Sequence, residues 1–274
     1  MSVKENLMAM ISVIMSAYNE EKFVSGAIES ILNQTFNDFE FIIVNDGSVD
    51  KTYEIIKRYA EKDKRIRIIN HEKREGLANS LNDGIKIAQG KYIARMDADD
   101  ISLPERFQRQ VEFMERNPQT GAIGSCYQEV DESGNILPRK QNPRSWKDIK
   151  KALFFYNPIS HPTVMIRKEV LKKAGTYDET FPTSQDYELF SRIAQFSELR
   201  NHDDVLLIRR FPKKVSGGKM QRQTIDSLII QIRMLKRGSY PLHYVVFMLK
   251  NLIALVIPVS LREKIRRWRH RYYS

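Results

Sequence analysis

The sequence is poor in cysteine and lacks an apolar leader. Cys126 is the only cysteine among the 274 residues, so no disulfide forms within the chain and a reducing compartment is expected. The first residues, MSVKENLMAMISVIMSAYNEE, contain no long apolar core and no small-residue cleavage site. They therefore do not have the pattern of a signal peptide. Together these absences predict a cytoplasmic protein.

Two phosphate-binding signatures are also missing. No Gly-x-Gly-x-x-Gly follows the first predicted strand, and no Gly-Lys-Ser/Thr occurs anywhere. The chain is therefore predicted to be neither a dinucleotide-binding protein of that type nor a P-loop protein. It has no fixed-period repeat, and its 42% apolar and 29% charged residues are ordinary for a globular protein with a substantial core.

The excess of positive charge is confined to the end of the chain. Residues 201–274 contain 16 Lys/Arg and 4 Asp/Glu, a net charge of +12, and the whole chain carries +11. The first 200 residues therefore carry a net charge of −1. An anionic partner would be expected to meet the C-terminal quarter.

The first part of the chain alternates between strand and helix patterns. Four mostly apolar runs, each typical of a buried strand, are ISVIMSA (11–17), FEFIIVND (39–46), RIRIIN (65–70) and KYIARM (91–96). Helical spacing lies between them, and the third helical pattern is predicted to end at Gly90. The alternation predicts an α/β fold in which a mostly parallel, Rossmann-like sheet is flanked by helices.

The regular alternation ends at about residue 117. Residues 118–210 are predicted to be a less regular α+β half that packs on the first half, with two strands about a turn at ESGN (132–135). Residues 211–274 are predicted to be a closing loop followed by a basic and apolar helical extension.

A polar turn follows each of the four predicted strands. These turns are SAYNEE, NDGS, HEKREG and DADD. The carboxyl ends of parallel strands share one edge of a sheet, where ligands bind. The last turn carries Asp97, Asp99 and Asp100, whose charges repel one another unless a positive group lies among them. Such carboxylates suit Mg²⁺ or Mn²⁺, so we expect a divalent metal that holds a diphosphate.

The C-terminal extension combines apolar and basic residues. Residues 244–259, YVVFMLKNLIALVIPV, are interrupted only by Lys250 and Asn251, and six basic residues lie between positions 262 and 271. The apolar run is too short and interrupted to span a membrane. Two interpretations stay open: peripheral contact with an anionic inner-membrane surface, or an amphipathic helix packed on the domain with a solvated basic tail.

Four segments resemble the inverting family-2 glycosyltransferases of bacterial glycan synthesis. They are ISVIMSAYNEEKFVSGAIESILNQTF, FEFIIVNDGSVDKT, GLANSLNDGIKIAQGKYIARMDADDISLPERF and SQDYELFSRI. They occur in the family's order and cover about residues 9–210. The resemblance implies an A-type glycosyltransferase fold with a catalytic domain over 1–210. Residues 1–117 would bind a nucleotide-sugar donor, and 118–210 the acceptor.

The resemblance also implies roles for individual residues. The donor would be a UDP-sugar, and the acceptor a hydroxyl of a glycan or a lipid-linked glycan. The implied donor-binding residues are Ser16, Ala17, Tyr18, Glu20, Asp46, Arg74, Asp97, Ala98 and Asp99. The implied metal ligands are Asp99 and Asp100, with Asp97 and Asp99 matching the family's Asp-x-Asp pair.

On the acceptor side, the resemblance makes Asp186 the general base. His161 would face the acceptor. Relatives carry a histidine in the loop that closes over the diphosphate, and this chain has IRRFPKKVSGGK there, so Arg210, Lys213 and Lys214 are the candidate phosphate contacts.

Without the resemblance, simpler roles are available for the same residues. Asp186 would be a helix N-cap, Asp46 a turn residue and Arg74 a solvated charge. The Arg-rich tail suggests a nucleic-acid-binding protein as an alternative, but the charge is confined to that tail, so no nucleic-acid partner is predicted. A nucleotidyltransferase would need a Gly-rich basic loop after the first strand, and SAYNEE is acidic.

Overall fold

Eight strands and nine α-helices are present in the computed structural model, which describes residues 9–131, 133–138, 142–210 and 217–257. The strands are β1 (Ile11–Ala17), β2 (Phe39–Asp46), β3 (Ile66–His71), β4 (Tyr92–Asp97), β5 (Ile101–Ser102), β6 (Thr120–Val130), β7 (Met165–Arg167) and β8 (Glu198–Arg210). The helices are α1 (Val24–Leu32), α2 (Thr52–Lys62), α3 (Leu77–Ile87), α4 (Arg106–Arg116), α5 (Trp146–Leu153), α6 (Lys168–Ala174), α7 (Gln185–Ile193), α8 (Gly217–Lys236) and α9 (Leu249–Val256). Short 3₁₀ helices form at His161–Thr163 and Leu242–Met248.

All eight strands belong to one sheet, in the order β3-β2-β1-β4-β7-β6-β8-β5. The strands β1 to β4 are parallel, whereas β7 pairs antiparallel with both β4 and β6. The predicted α/β fold is confirmed. Because β4 and β7 are hydrogen-bonded neighbours, the predicted boundary at residues 117 and 118 separates two parts of one continuous sheet.

Helices cover both faces of the sheet. Ile11, Val13 and Met15 of β1 pack in a cluster with α1, α2 and α4, while Ile14 packs in a second cluster with α3, α5 and α7. Successive side chains of a strand point to opposite faces, which explains this division. A strand that is buried on both faces reads as a continuous apolar run, as 11–17 does.

Two local predictions were wrong. The second strand near ESGN is reduced to one bridge, between Val130 and Ile136. Asp131 accepts hydrogen bonds from the N–H groups of Ser133 and Asn135, which curls the chain there, and Pro138 has no N–H to extend a ladder.

Gly90 does not cap α3, which ends at Ile87. A Cβ at Gly90 would lie 2.5 Å from the backbone nitrogen of Ser12. Glycine is therefore needed there because the backbones approach closely, not because a helix ends.

The C-terminal helices pack on the second half of the sheet. Leu228, Ile230 and Met234 of α8 are buried in the same cluster as α7. The 3₁₀ helix Leu242–Met248 and α9 then pack on α8. Within the described ranges, no helix is long and apolar enough to cross a membrane. The predicted basic tail, between positions 262 and 271, lies outside the described residues.

Candidate active site

A cavity of about 870 Å³ opens where the carboxyl ends of the parallel strands meet the second half of the sheet. Segments far apart in sequence supply its walls. They include Arg74, Arg95, Asp97, Asn157, His161, Ser184, Asp186, Arg209, Lys219 and Gln223. The cavity thus brings the acidic turn and Asp186 to one place.

The acidic turn is compact and has a positive partner within the chain. Ligand oxygens of Asp97, Asp99 and Asp100 all lie within 4.8 Å of one another. Arg95 forms an ion pair with Asp97 and is itself only 4% exposed. The two residues are two positions apart in β4, so their side chains share one face of the strand. Arg106, fully buried behind them, donates a hydrogen bond to the carbonyl oxygen of Arg95 at 2.7 Å.

Carboxylate charge nevertheless remains in excess. Burial, followed by the Asp97 charge, raises the pKa of Asp99. Burial and the charges of Asp97 and Asp99 raise the pKa of Asp100 well above its usual range. Glu20 belongs to the same electrostatic cluster, because burial and then Asp99 and Asp97 raise its pKa to about 7. Four carboxyl groups therefore belong to one electrostatic cluster, which the nearby arginines neutralise only in part.

The acidic turn fits a divalent cation. Asp100 is 1% exposed, and its Oδ2 is buried without a hydrogen-bond partner among the described residues. A buried carboxylate oxygen needs a hydrogen bond or a cation. With oxygens of Asp97 and Asp99 within 4.8 Å, the donors are the hard ligands that Mg²⁺ and Mn²⁺ prefer.

The arginines at the end of β8 have different positions. The backbone N–H of Arg210 donates to Asp100 Oδ1 at 3.1 Å, and its guanidinium stacks over the ring of Phe23 at 4.5 Å. Arg209, not Arg210, is among the residues that line the cavity. Arg209 also contacts Glu129, with the charged atoms 3.8 Å apart. The other two predicted phosphate contacts, Lys213 and Lys214, lie outside the described residues.

Asp46 holds the loop that carries Arg74. It is 2% exposed, and its carboxylate accepts hydrogen bonds from the N–H groups of Glu75 at 2.8 Å and Gly76 at 3.0 Å. Gly47 has φ of +69°, and a Cβ there would lie 2.4 Å from the backbone of Lys73. A contact between Asp46 and a nucleotide stays a prediction. The observed contacts make Asp46 an anchor for the neighbouring loop.

In the loop after β1, Tyr18 packs against Arg74, which lines the cavity. The guanidinium of Arg74 lies 4.3 Å from the centre of the Tyr18 ring. Ser16 is half-buried and lies beside Asp97 in the pairing of β1 with β4. The side chains of Ala17 and Ala98 are buried in the core. Only the backbone atoms at those two positions are therefore placed for contact with a ligand.

Asp186 is the second residue of α7 and faces the cavity. The N-cap is Ser184, so the simpler interpretation of Asp186 as the cap is wrong. Ser184 has φ of +58°, a strained conformation for a residue with a side chain. Asp186 Oδ2 accepts a hydrogen bond from Asn157 at 2.8 Å. Burial raises the pKa of Asp186.

His161 is buried beside the cavity. Its Nε2 lies 2.7 Å from the hydroxyl of Tyr177. Burial, then the positive charges of Arg95 and Arg209, lower the pKa of His161 well below the usual range. The imidazole is therefore neutral at physiological pH, so it can donate or accept a hydrogen bond but carries no charge.

The cavity lining includes residues that were not predicted, among them Arg95, Asn157 and Arg209. The signal for Arg95 was present in the sequence, because ARMD places a base and an acid on the same face of a strand. No local pattern marks Asn157 or Arg209. Their proximity to the site arises from the pairing of β8 with β6 and the packing of α7.

Solved glycosyltransferases share this fold. The crystal structure of S. aureus TarS 1–349 in complex with UDP-GlcNAc has a TM-score of 0.65 at 19% identity, over 80% of this chain and 66% of that one. The mannosyltransferase PcManGT from Pyrobaculum calidifontis, in complex with GDP-Man and Mn²⁺, has a TM-score of 0.66 at 17% identity, over 93% of this chain and 72% of that one. At these identities the likeness defines the fold alone, which is of the A type.

The sequence defines the family. Residues 12–175 match glycosyl transferase family 2. An uncharacterized glycosyltransferase, MJ1057 of Methanocaldococcus jannaschii, is 43% identical over 75% of this chain and 72% of its own length. The O-antigen biosynthesis glycosyltransferase WbnJ of Escherichia coli is 38% identical over 68% and 72%. The amylovoran biosynthesis glycosyltransferase AmsE of Erwinia amylovora is 35% identical over 72% and 75%.

The chain therefore belongs to glycosyl transferase family 2 and is a glycosyltransferase. The predicted family is confirmed, and this activity is favoured over the nucleotidyltransferase and nucleic-acid-binding alternatives.

Proposed function

We propose that this enzyme transfers a sugar, with inversion and with a divalent metal, from a UDP-sugar to a hydroxyl of a glycan or lipid-linked glycan. The observation that carries the proposal is the shared cavity. Asp97, from the acidic turn, and Asp186, from α7, line the same 870 Å³ space. An acidic turn that can hold a cation for the diphosphate and a carboxylate that can accept a proton are thereby available to one bound substrate pair.

Asp186 is proposed as the general base. In a single displacement, the acceptor oxygen forms a bond to the anomeric carbon while the bond from that carbon to the β-phosphate oxygen breaks. The acceptor hydroxyl loses its proton to Asp186, and the diphosphate departs with the electron pair. The raised pKa of Asp186 makes its carboxylate a stronger base than an exposed aspartate. The hydrogen bond from Asn157 fixes its orientation.

The acidic turn is proposed to hold the metal through Asp99 and Asp100, with Asp97 at its side. A bound Mn²⁺ or Mg²⁺ would supply positive charge to the departing diphosphate. Arg209 lies on the cavity wall and can add a second positive group. Arg95 keeps Asp97 in place through its ion pair.

The nucleotide is proposed to lie between the loops after β1 and β3. Tyr18 and Arg74 stack on each other there and offer an aromatic and a cationic surface. Glu20 and Asp46 lie on the same side of the site. TarS is described with UDP-GlcNAc and PcManGT with GDP-Man. The fold therefore accepts more than one nucleotide, and UDP has to be tested against GDP.

The acceptor is proposed from the relatives. WbnJ and AmsE are named for O-antigen and amylovoran biosynthesis, so a hydroxyl on a growing polysaccharide is the expected acceptor class. A lipid-linked acceptor would require the enzyme at the cytoplasmic face of a membrane. We therefore include a peripheral location in the proposal.

Thermal unfolding with nucleotide and metal tests the donor site. UDP with Mn²⁺ should raise the midpoint of the wild type. A ligand at about 100 times its Kd stabilises the folded state by about 2.7 kcal/mol. UDP without metal should have little effect, and Asp99→Asn should lose the metal-dependent part.

Asp38→Asn is a matched control, because Asp38 is exposed at the start of β2, and it should respond like the wild type. If GDP with Mn²⁺ stabilises and UDP does not, the UDP assignment is wrong. If neither nucleotide stabilises with metal, the proposed donor site is wrong.

A further inference from the structure

The helix α9 presents its apolar stripe to solvent. Leu249, Leu252, Ile253 and Val256 are 53%, 48%, 58% and 85% exposed. Their spacing is i, i+3, i+4 and i+7, which defines one face of a helix. In most helices of a globular protein this face is turned to the core. Here it is turned outward.

Exposed apolar side chains also occur in the preceding 3₁₀ helix. Of the fourteen exposed large apolar side chains in the described residues, eight lie within 242–256, so they are concentrated in this segment. We call these eight side chains the C-terminal apolar surface: Leu242, Val245, Val246, Phe247, Leu249, Leu252, Ile253 and Val256. Such a concentration of exposed apolar side chains is typical of interaction sites.

The opposite side of these helices is fixed to the protein. Met248 is buried, and Leu255 packs against the core. Asn251 donates a hydrogen bond to Gln231 of α8 at 3.1 Å. The outward orientation of the stripe is therefore set by contacts that hold its other face.

Basic residues occur in the same part of the chain. Residues 217–257 contain six Lys/Arg and one acidic residue, Asp226. Asp226 is fully buried and paired with Arg222, while Arg233 and Arg237 pair with acidic residues of other segments. Lys236 and Lys250 are both exposed and place positive charge in this part of the chain. The sequence that follows adds six more basic residues and one Glu between positions 262 and 271.

We propose that the C-terminal apolar surface docks on an anionic lipid bilayer. Apolar side chains enter the boundary between headgroups and acyl chains, while the surrounding Lys and Arg meet the negative headgroups. A second copy of the chain would bring basic patch against basic patch, which is repulsive.

The C-terminal apolar surface lies near the cavity, so docking on a bilayer would bring the bilayer near the active site. Lys219 and Gln223 of α8 line the cavity, and Gln231 of the same helix contacts α9. Eight residues of helix separate Gln223 from Gln231, about 12 Å along the axis. A bilayer at the C-terminal apolar surface would lie close to the proposed acceptor side. This consequence, an acceptor held in the bilayer, rests on the proposed function, whereas the docking itself does not.

Vesicle co-sedimentation of the full chain tests the docking. We expect binding to vesicles of phosphatidylcholine mixed with anionic phosphatidylglycerol, and weaker binding to phosphatidylcholine alone or at high salt. Leu252→Ser with Ile253→Ser should lower the partition coefficient by about tenfold or more, because several buried methylene groups are lost. Lys236→Gln with Lys250→Gln should lower it on anionic vesicles only.

The matched control is Ile136→Ser with Phe196→Ser, which removes two exposed apolar side chains outside the C-terminal apolar surface. It should bind vesicles like the wild type. Equal binding by the Leu252 and Ile253 variant, or no binding by the wild type, would overturn the docking. A second result would also overturn the docking: a wild-type dimer in sedimentation equilibrium that becomes monomeric in the Leu252 and Ile253 variant. The surface would then be covered by a second copy of the chain.

Stabilisation by UDP and Mn²⁺, measured in the same variants, separates the two proposals. If UDP and Mn²⁺ do not stabilise the protein while vesicle binding is normal, only the proposed donor site is contradicted.

Discussion

The acidic turn and the C-terminal apolar surface depart from ordinary residue burial in opposite directions. At the turn, charged side chains are buried: Asp100 is 1% exposed, Arg95 4% and Arg106 0%. On α9, apolar side chains are exposed, up to 85% at Val256. Buried charges and large exposed apolar patches are the two deviations that carry information about function.

The difference between the two regions lies in what each lacks. The acidic turn has more carboxylate than the arginines neutralise, so it lacks positive charge. The C-terminal apolar surface lacks a covering layer, and its surroundings are basic. In physical terms, the first region needs a small cation, whereas the second needs an extended apolar and anionic surface.

The largest effect, on the rate of sugar transfer, is expected at Asp186, the proposed general base. Asp186→Asn keeps the size of the side chain and can still accept the hydrogen bond from the N–H of Tyr187. We expect the transfer rate to fall by about 10²–10⁴, the usual contribution of general base catalysis. Release of UDP in the presence of acceptor measures it. Stabilisation by UDP and Mn²⁺ should be unchanged, and a variant that retains the wild-type rate would remove Asp186 from the mechanism.

The ion pair at the turn, in which Arg95 is buried and Asp97 is 33% exposed, sets the next effect. Arg95→Met leaves Asp97 among like charges, and because water partly screens Asp97 we expect a cost of about 1–3 kcal/mol. Urea unfolding of the metal-free protein measures this loss, and Mn²⁺ should restore part of it. Arg58→Met, at an exposed site on α2, should change stability by less than about 0.5 kcal/mol. Equal stability of both variants would show that Asp97 does not need its partner.

The excess of negative charge at the acidic turn can be measured at Glu20, through the pH dependence of the stability of the protein. Its pKa is raised from 4.5 to about 7 in the folded protein. The folded state therefore binds more protons than the unfolded state, and the stability that this provides falls as pH rises from about 4.5 to about 7. Glu20→Gln removes the titrating group, so without metal it should be the more stable protein above that range.

Glu20 is only half-buried, so the expected gain is modest, about 2–4 °C in midpoint. Thermal scans in a chelator across this pH range provide the measurement. A difference between wild type and variant that does not change with pH would mean that the folded protein does not perturb Glu20.

The smallest effect on stability is expected on α9. Leu252→Ala should cost less than about 0.5 kcal/mol, because the side chain is already half in water. The comparison is Ile230→Ala on α8, which is fully buried and should cost about 2–5 kcal/mol. Urea unfolding of the two variants distinguishes a solvent-facing stripe from a packed one. A large loss for Leu252→Ala would show that the stripe is covered by the protein itself.

Local pattern predicted much of the first half of the chain. The runs that became β1, β2 and β4 are apolar because both faces of those strands are covered. Their alternation with helices fixed the parallel pairing, and the pairing fixed the position of DADD at the sheet edge. Even the Arg95–Asp97 pair follows from a strand period of two.

Local sequence pattern was less informative where the contacting residues are far apart in sequence. The predicted strand after ESGN is reduced to one bridge, whereas β6 pairs along its length with β8, which lies far along the chain. The spacing near Gly90 suggested a helix end. The requirement for glycine at this position instead comes from the close approach of Ser12, 78 residues away in the chain.

By itself, the sequence determined the fold class, the acidic turn and the apolar, basic composition of the C-terminal extension. These depend on hydrophobic period and on residues a few positions apart, whose energies are local. Only the tertiary structure decided that Asp186, turned by Ser184 and held by Asn157, faces the same cavity as Asp97. It also decided that the stripe of α9 faces outward. Helical period defines an apolar face, but the direction of that face depends on which side finds partners among residues distant in sequence.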